Sequence, residues 1–407
     1  MKEFGFFPKE EQGGRMIKSG EFFTEVRRLL PGICFWGYCL GFFCFPDTLR
    51  AVESYSVLVE NQNVSEVRLQ WKDRTVNQWE AVLKAGLEKK APSIPEQWYA
   101  TYALGEYGEA ASSVVPVMLE RLAYEAGKDD DVRACLLFSL GKIGDESAFP
   151  AMVEAFNSEY PIIERTAALT LGVFPEKLKA EGALVLEKME RILKERSPLQ
   201  IPMAVNCAVT LWGVGEKEKV EVWLEAALFS DREDAFTRDF EVYQAISAIR
   251  QIESRYGADG LNACSFENGL SLAESLVGIV QSSSDLDVRL NASETLGLLG
   301  NSSIEPLRKI FENGAGLNGE KKVEPRLLEV LAQLDAEHKA TQELLFGILK
   351  NRGEDALQVS AVRGMLFLPI ERREEAVSAL VELLNDAEIS GAIVTEARLA
   401  LKKLQKP

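Results

Sequence analysis

One stretch of this chain occurs twice in the same register. Asp131-Val132-Arg133 leads through Leu140-Gly141-Lys142-Ile143-Gly144 to Pro150, and Asp287-Val288-Arg289 leads through Leu296-Gly297-Leu298-Leu299-Gly300 to Pro306. Degenerate copies lie between and around these two. A unit that recurs at this size restricts the chain to architectures in which each copy buries its apolar face against the next.

The unit has a helical period. Apolar residues recur eight positions apart at Val132/Leu140, Ile163/Leu171, Met203/Leu211, Val288/Leu296, Val323/Leu331 and Ile393/Leu401. Eight residues is slightly more than two helical turns, so both members of a pair share one face. Between them Val132, Cys135, Leu136, Leu140 and Ile143 keep helical rather than alternating spacing. Equivalents of Leu140 fall at Leu104, Leu171, Leu211, Ile249, Leu296, Leu331, Phe367 and Leu401, so the span from Leu104 to Leu401 divides into eight steps of about 37 residues. Two helices and two turns fit that length. Gly144, Gly172, Gly215 and Gly300 stand where a left-handed helix cap is expected. Second helices are expected over 148–156, 182–193, 220–229 and 304–311, with Pro150 and Pro306 near their starts, where a missing N–H costs little.

The D-V-R…L-G-x-[IL]-G run followed by an apolar helix with an early proline resembles the HEAT repeat, most closely the short bacterial form of phycobilisome-lyase-like repeat proteins. The resemblance covers roughly residues 95–405 and implies an all-α fold, a right-handed α-solenoid of about eight stacked antiparallel helix pairs. It also implies that Arg133, Arg289 and Arg165 pair with neighbouring aspartates along the inner row, with Asn206 interrupting that ladder. Ahead of the repeats, 47–94 reads as a helical cap whose amphipathic helix at 75–89 carries Trp79, Val82, Leu83 and Leu87, closed by Pro92-Ser93-Ile94-Pro95. The step from Ile249 to Leu296 is long; the excess is a glycine- and asparagine-containing insertion at 256–268, and a second glycine-rich loop lies at 313–320. Insertions in solenoids lie on one edge, which is often the binding edge.

Residues 1–46 read as an export signal or membrane anchor. The segment 29–45 is uncharged and strongly apolar, follows Arg27-Arg28 and precedes Asp47. Positive-inside charge places everything after it outside the cytoplasm. Gln12-Gly13-Gly14-Arg15-Met16 can be encoded by a bacterial ribosome-binding site ahead of a start codon, which makes Met16 the expected first residue of a bacterial protein. The formal net charge is −17, and it resides after the N-terminal segment. An acidic body without clustered cations argues against nucleic acid as a partner.

No catalytic constellation is legible. His338 is the one histidine, which removes HExxH zinc sites and leaves a Ser-His-Asp triad without support. Cys34, Cys39 and Cys44 belong to the apolar segment, and Cys135 and Cys207 to core stripes; Cys264, in the insertion, is the candidate reactive thiol. Asp129-Asp130-Asp131 reads as a helix cap rather than a calcium site. Trp79 and Trp212 follow the core stripe, whereas Trp223 fits core or groove. No cofactor, metal or catalytic residue is expected. The expectation is a non-catalytic scaffold that binds a protein partner on its concave face, with possible membrane attachment through 29–45. The alternative is a chromophore-lyase-like enzyme or chaperone acting on a protein.

Overall fold

The computed structural model describes residues 74–87, 94–127, 129–312, 323–351, 354–386 and 388–405. The expected export segment, the Met16 start and the 313–320 loop lie outside the described residues. Every described residue belongs to one compact unit.

The helices in chain order are α1 (Val76–Leu87), α2 (Ile94–Tyr107), α3 (Val115–Tyr124), α4 (Asp130–Ile143), α5 (Phe149–Phe156), α6 (Pro161–Thr170), α7 (Pro175–Glu181), α8 (Ala183–Glu195), α9 (Ile201–Val214), α10 (Lys217–Leu228), α11 (Ala235–Tyr256), α12 (Asp259–Asn262), α13 (Leu272–Ser282), α14 (Leu286–Leu299), α15 (Ile304–Glu312), α16 (Arg326–Asp335), α17 (Lys339–Lys350), α18 (Asp355–Gly364), α19 (Arg373–Leu384) and α20 (Gly391–Leu404). Among the described residues an isolated bridge between Ser265 and Ser271 is the extent of β-pairing.

Two rows organise these helices. In the first, α2, α4, α6, α9, α11, α14, α16, α18 and α20 each pack against the next. Helices of the second row return the chain and pair with them: α1 with α2, α3 with α4, α5 with α6, α8 with α9, α10 with α11, α13 with α14, α15 with α16, α17 with α18 and α19 with α20. The fold is a HEAT-like α-solenoid. Its described part has nine pairs rather than about eight, because α1 takes a place in the second row. Trp79 and Leu83 on α1 are buried, as its amphipathic spacing predicts. Ile94 and Pro95 open α2 rather than close the segment before it.

The repeat's apolar pairs form the core. Leu104, Leu140, Leu171, Leu211, Ile249, Leu296 and Leu331 are fully buried. The register differs near the end: Phe367 is exposed, and Met365 is fully buried in its place. Leu357 and Met365 restore the eight-residue pair. Helix α18 stops at Gly364 and continues as a tight turn, Met365–Phe367, which carries Phe367 off the core face. Leu401 is half-buried because α20 has no described helix after it in its row. Helix α9, apolar but for Asn206 and Thr210, is buried at every position but Gly213, and both polar side chains donate to carbonyls of α6.

The motif glycines divide into two kinds. Gly144 and Gly215 are left-handed caps at φ 76° and 94°. Gly300 has positive φ but ψ −129°, outside the left-handed helical well. Gly172 is not a cap: it lies in the turn Leu171–Val173 without positive φ. A Cβ there would sit 2.8 Å from Thr210 Oγ1. The same close approach recurs along the first row, at 2.8 Å between a Gly105 Cβ and Ser139 Oγ, and at 2.8 Å between a Gly141 Cβ and Thr170 Cγ2. At Gly105, Gly141 and Gly172 the first glycine position of the motif therefore seats the next helix, while Gly144, at the second, ends its own.

Candidate functional site

The eight-residue rule, applied back from Ile249, falls on Glu241. Where other first-row helices bury Val132, Ile163, Met203 or Val288, α11 buries a carboxylate at 1% exposure. An unpaired charge there would be costly, and three side chains meet it. Arg196 donates from Nε and Nη2 at 2.9 and 2.8 Å, Arg232 from Nε at 2.8 Å and Nη2 at 3.3 Å, and Ser230 Oγ at 2.5 Å. Burial pushes the Glu241 carboxyl upward; the hydrogen bonds from Arg196, Arg232 and Ser230 outweigh it and hold the group at about 2.

This clasp sets local backbone. Arg196, the residue after α8, has φ 45° and ψ 39° and is the one non-glycine residue with positive φ among the described residues. Such a backbone costs about 1–2 kcal/mol. The bidentate bond to Glu241 offsets it, and the Arg196 carbonyl accepts a hydrogen bond from Arg232. The loop between α10 and α11 is thus tied to the end of α8.

The clasp also supports an overhang. Helices α4, α6, α9 and α14 begin two residues before their buried apolar position; α11 begins six before Glu241. The extra turn, about 6 Å of helix, carries Phe236, whose ring stacks on that of Phe240 at 6.3 Å. Asp234 caps it, its side chain accepting from Thr237 N at 2.7 Å.

The overhang belongs to a line of uncovered apolar side chains. On four successive first-row rungs, the N-terminal end leaves one large group in solvent: Tyr160 at 46% exposure before α6, Leu199 at 85% before α9, Phe236 at 43% on α11 and Leu286 at 57% on α14. Glu159, Asp231, Glu233 and Asp234 are exposed along the same edge. Its arginines have carboxylate partners: Arg133 with Asp130 at 3.3 Å, Arg196 and Arg232 with Glu241, Arg238 with Asp239 at 3.5 Å, and Arg289 with Glu324 at 3.5 Å.

The arginine ladder expected from the repeat keeps Arg289, which reaches Glu324 ahead of α16, and is carried further by other members. Arg133 bonds within its own helix, and Arg289 Nη1 donates to the Ser283 carbonyl at 2.9 Å. Asn206 bridges to the preceding rung, donating to the Arg165 carbonyl at 2.8 Å. The rung-to-rung pairs are Arg250–Glu294 at 3.0 Å, Glu294–Arg326 at 3.4 Å, Glu329–Arg363 at 3.2 Å and Arg363–Glu396 at 3.0 Å.

Cys264 is not a reactive thiol. It is 1% exposed, and burial, together with the nearby Glu221 carboxylate, pushes it up to about 12. The 256–268 insertion folds back along α10: Cys264 Sγ donates to Glu221, the Glu267 backbone N–H reaches Glu225 at 3.0 Å, and Phe266 meets Phe229 edge-on at 6.1 Å. Burial likewise pushes Cys135 up to about 12 and raises Cys207. His338 is exposed and caps α17, its Nδ1 accepting from Ala340 N at 3.2 Å. Asp129 caps α4 through Asp131 N and Val132 N, both at 3.0 Å, and Trp223 is core. Among the described residues no group of three or more metal-ligating side chains occurs, and no helix is long and apolar enough to cross a membrane.

No protein-family model matches the chain, and no curated protein matches it by sequence. Among solved structures it is similar to the complex of CpcE and CpcF of phycocyanin lyase from Nostoc sp. PCC7120. That alignment has 16% identity and a TM-score of 0.37, and covers 81% of this chain and 95% of that one. It is also similar to human deoxyhypusine hydroxylase in complex with glycerol, at 16% identity and a TM-score of 0.28, over 81% of this chain and 96% of the other.

The clasp was findable in the sequence, as a charged residue at an apolar register position. The exposed edge was not, because single apolar residues before helix starts carry no period.

Proposed function

We propose that this protein is a non-catalytic protein–protein interaction scaffold. The observation that carries the reading is the line of exposed apolar groups at Tyr160, Leu199, Phe236 and Leu286 on four adjacent rungs. Scattered surface hydrophobes are ordinary, but an aligned set on a rigid array suits a macromolecular partner. The sequence alone points to a concave face; this edge takes its place in the proposal, since rung-to-rung partners already occupy much of the first row's charge. In-cell chemical crosslinking of the intact chain, followed by purification, tests the reading. A discrete protein partner at reproducible stoichiometry is expected; a chain recovered alone would overturn it.

We also propose that the protein is exported or attached to the envelope through residues 29–45. Arg27-Arg28 ahead of that uncharged apolar run supports this. Fractionation of cells with an epitope after Pro407 is expected to place it outside the cytosolic fraction, and a wholly cytosolic protein would refute it.

A further inference from the structure

The chemistry of the α6–α14 edge points to one class of partner. We infer that this edge docks a basic segment of a partner protein that presents large aliphatic or aromatic side chains between its lysines or arginines. The inference rests on the scaffold reading and names the partner's chemistry.

The apolar half of the argument is geometric. Helices α6, α9, α11 and α14 are consecutive neighbours in one row, and packed helices lie about 8–10 Å apart. Tyr160, Leu199, Phe236 and Leu286 stand at the N-terminal ends of these helices, three, four, five and two residues before the buried register position, so successive anchors lie about one rung apart. A chain in the polyproline II conformation advances about 3.1 Å per residue and turns once every three residues, so every third side chain faces the same way. One side chain in three then meets a rung, and about ten residues span all four. The stacked Phe236 and Phe240 form the broadest contact, on a turn held in place by the Glu241 clasp.

Charge selects the partner. The edge arginines are bound to carboxylates of this chain, while Glu159, Glu233 and Asp234 are exposed between the apolar anchors, and so is Asp231, which reaches Arg196 only at 4.0 Å. The surplus is negative, on a molecule of net charge −17. Such a surface repels nucleic acid, anionic lipid and acidic peptides, and it attracts a cationic segment. Apolar anchors spaced among carboxylates match a polypeptide that alternates the complementary groups.

Fluorescence anisotropy with the full-length chain tests this. The probe is a ten-residue fluorescein-labelled peptide with leucine at every third position and lysine between. Saturable binding is expected, weakened at least tenfold by Leu199→Ser or Phe236→Ser and unchanged by Val222→Ser, whose side chain is 68% exposed away from the edge. Asp231→Asn with Glu233→Gln is expected to weaken binding and flatten its dependence on salt. A peptide with serine replacing leucine, and one with glutamate replacing lysine, are expected to bind at least tenfold more weakly. The inference is overturned by no binding of the leucine–lysine peptide, by equal binding of either control, or by indifference to the edge substitutions. If that happens while crosslinking still captures a partner, the scaffold stands and only the partner's chemistry is wrong.

Discussion

At position 141 the packing accepts no side chain larger than hydrogen. Gly141→Ala would place a methyl group against Thr170, and such overpacking costs about 1–3 kcal/mol. Gly297 is the same letter of the motif in the Asp287 copy, yet nothing lies within 4 Å of a Cβ built there. Gly297→Ala is therefore expected to stabilise the chain by up to about 1 kcal/mol, since helical glycine is entropically costly. Urea denaturation of the two variants should move in opposite directions. Glu241 makes a second prediction. Its carboxyl is depressed to about 2, so the clasp contributes its full stability above the ordinary carboxylate range and loses it as pH falls from about 4.5 toward 2. Glu241→Gln should cost on the order of 3 kcal/mol at pH 7, and the gap between variant and wild type should close over that window. A gap that persisted at pH 2, or was absent at pH 7, would refute the clasp. Cys264 should stay unalkylated at pH 8 in the native protein and react once urea unfolds it, as peptide mass spectrometry would show.

Individual helices were largely legible before their neighbours were known. The eight-residue pairs placed the first row, and the second helices over 148–156, 182–193, 220–229 and 304–311 lie within a few residues of α5, α8, α10 and α15. Register failed where a helix ended early, as at Gly364, because a pattern of apolar residues does not register the turn that carries Phe367 outward. The glycines were half legible: a cap and a close approach demand the same residue, and only the position of Thr210 tells which Gly172 is. The site was legible as an interruption, since Glu241 breaks a row of buried apolar residues; its partners Arg196 and Arg232 come from separate loops that no local spacing connects. The ladder between rungs is exposed, with Glu294 near half exposure. Glu294→Ala should therefore cost less than about 1 kcal/mol, and the loss should shrink in high salt. A larger, salt-independent loss in thermal denaturation would show that the ladder is structural in its own right.

Across the described stack, each helix pair touches mainly the pairs beside it, so stability is a chain of neighbour interactions and surface features repeat at rung spacing. An anchor on one rung adds to the anchor on the next, and a partner that follows the row gains with each. The fully buried α9, the tied α10–α11 loop and the latched 256–268 insertion surround the point where the apolar edge is broadest. The insertion braces α10 from the side. The surface proposed for recognition is the line of helix starts. Site-specific photo-crosslinking tests this most directly, with a photoreactive residue placed in turn at positions 199, 236 and 222 of the full-length protein in its host. The account predicts one partner captured from 199 and 236 and none from 222; capture from 222 with neither edge position labelled would contradict it.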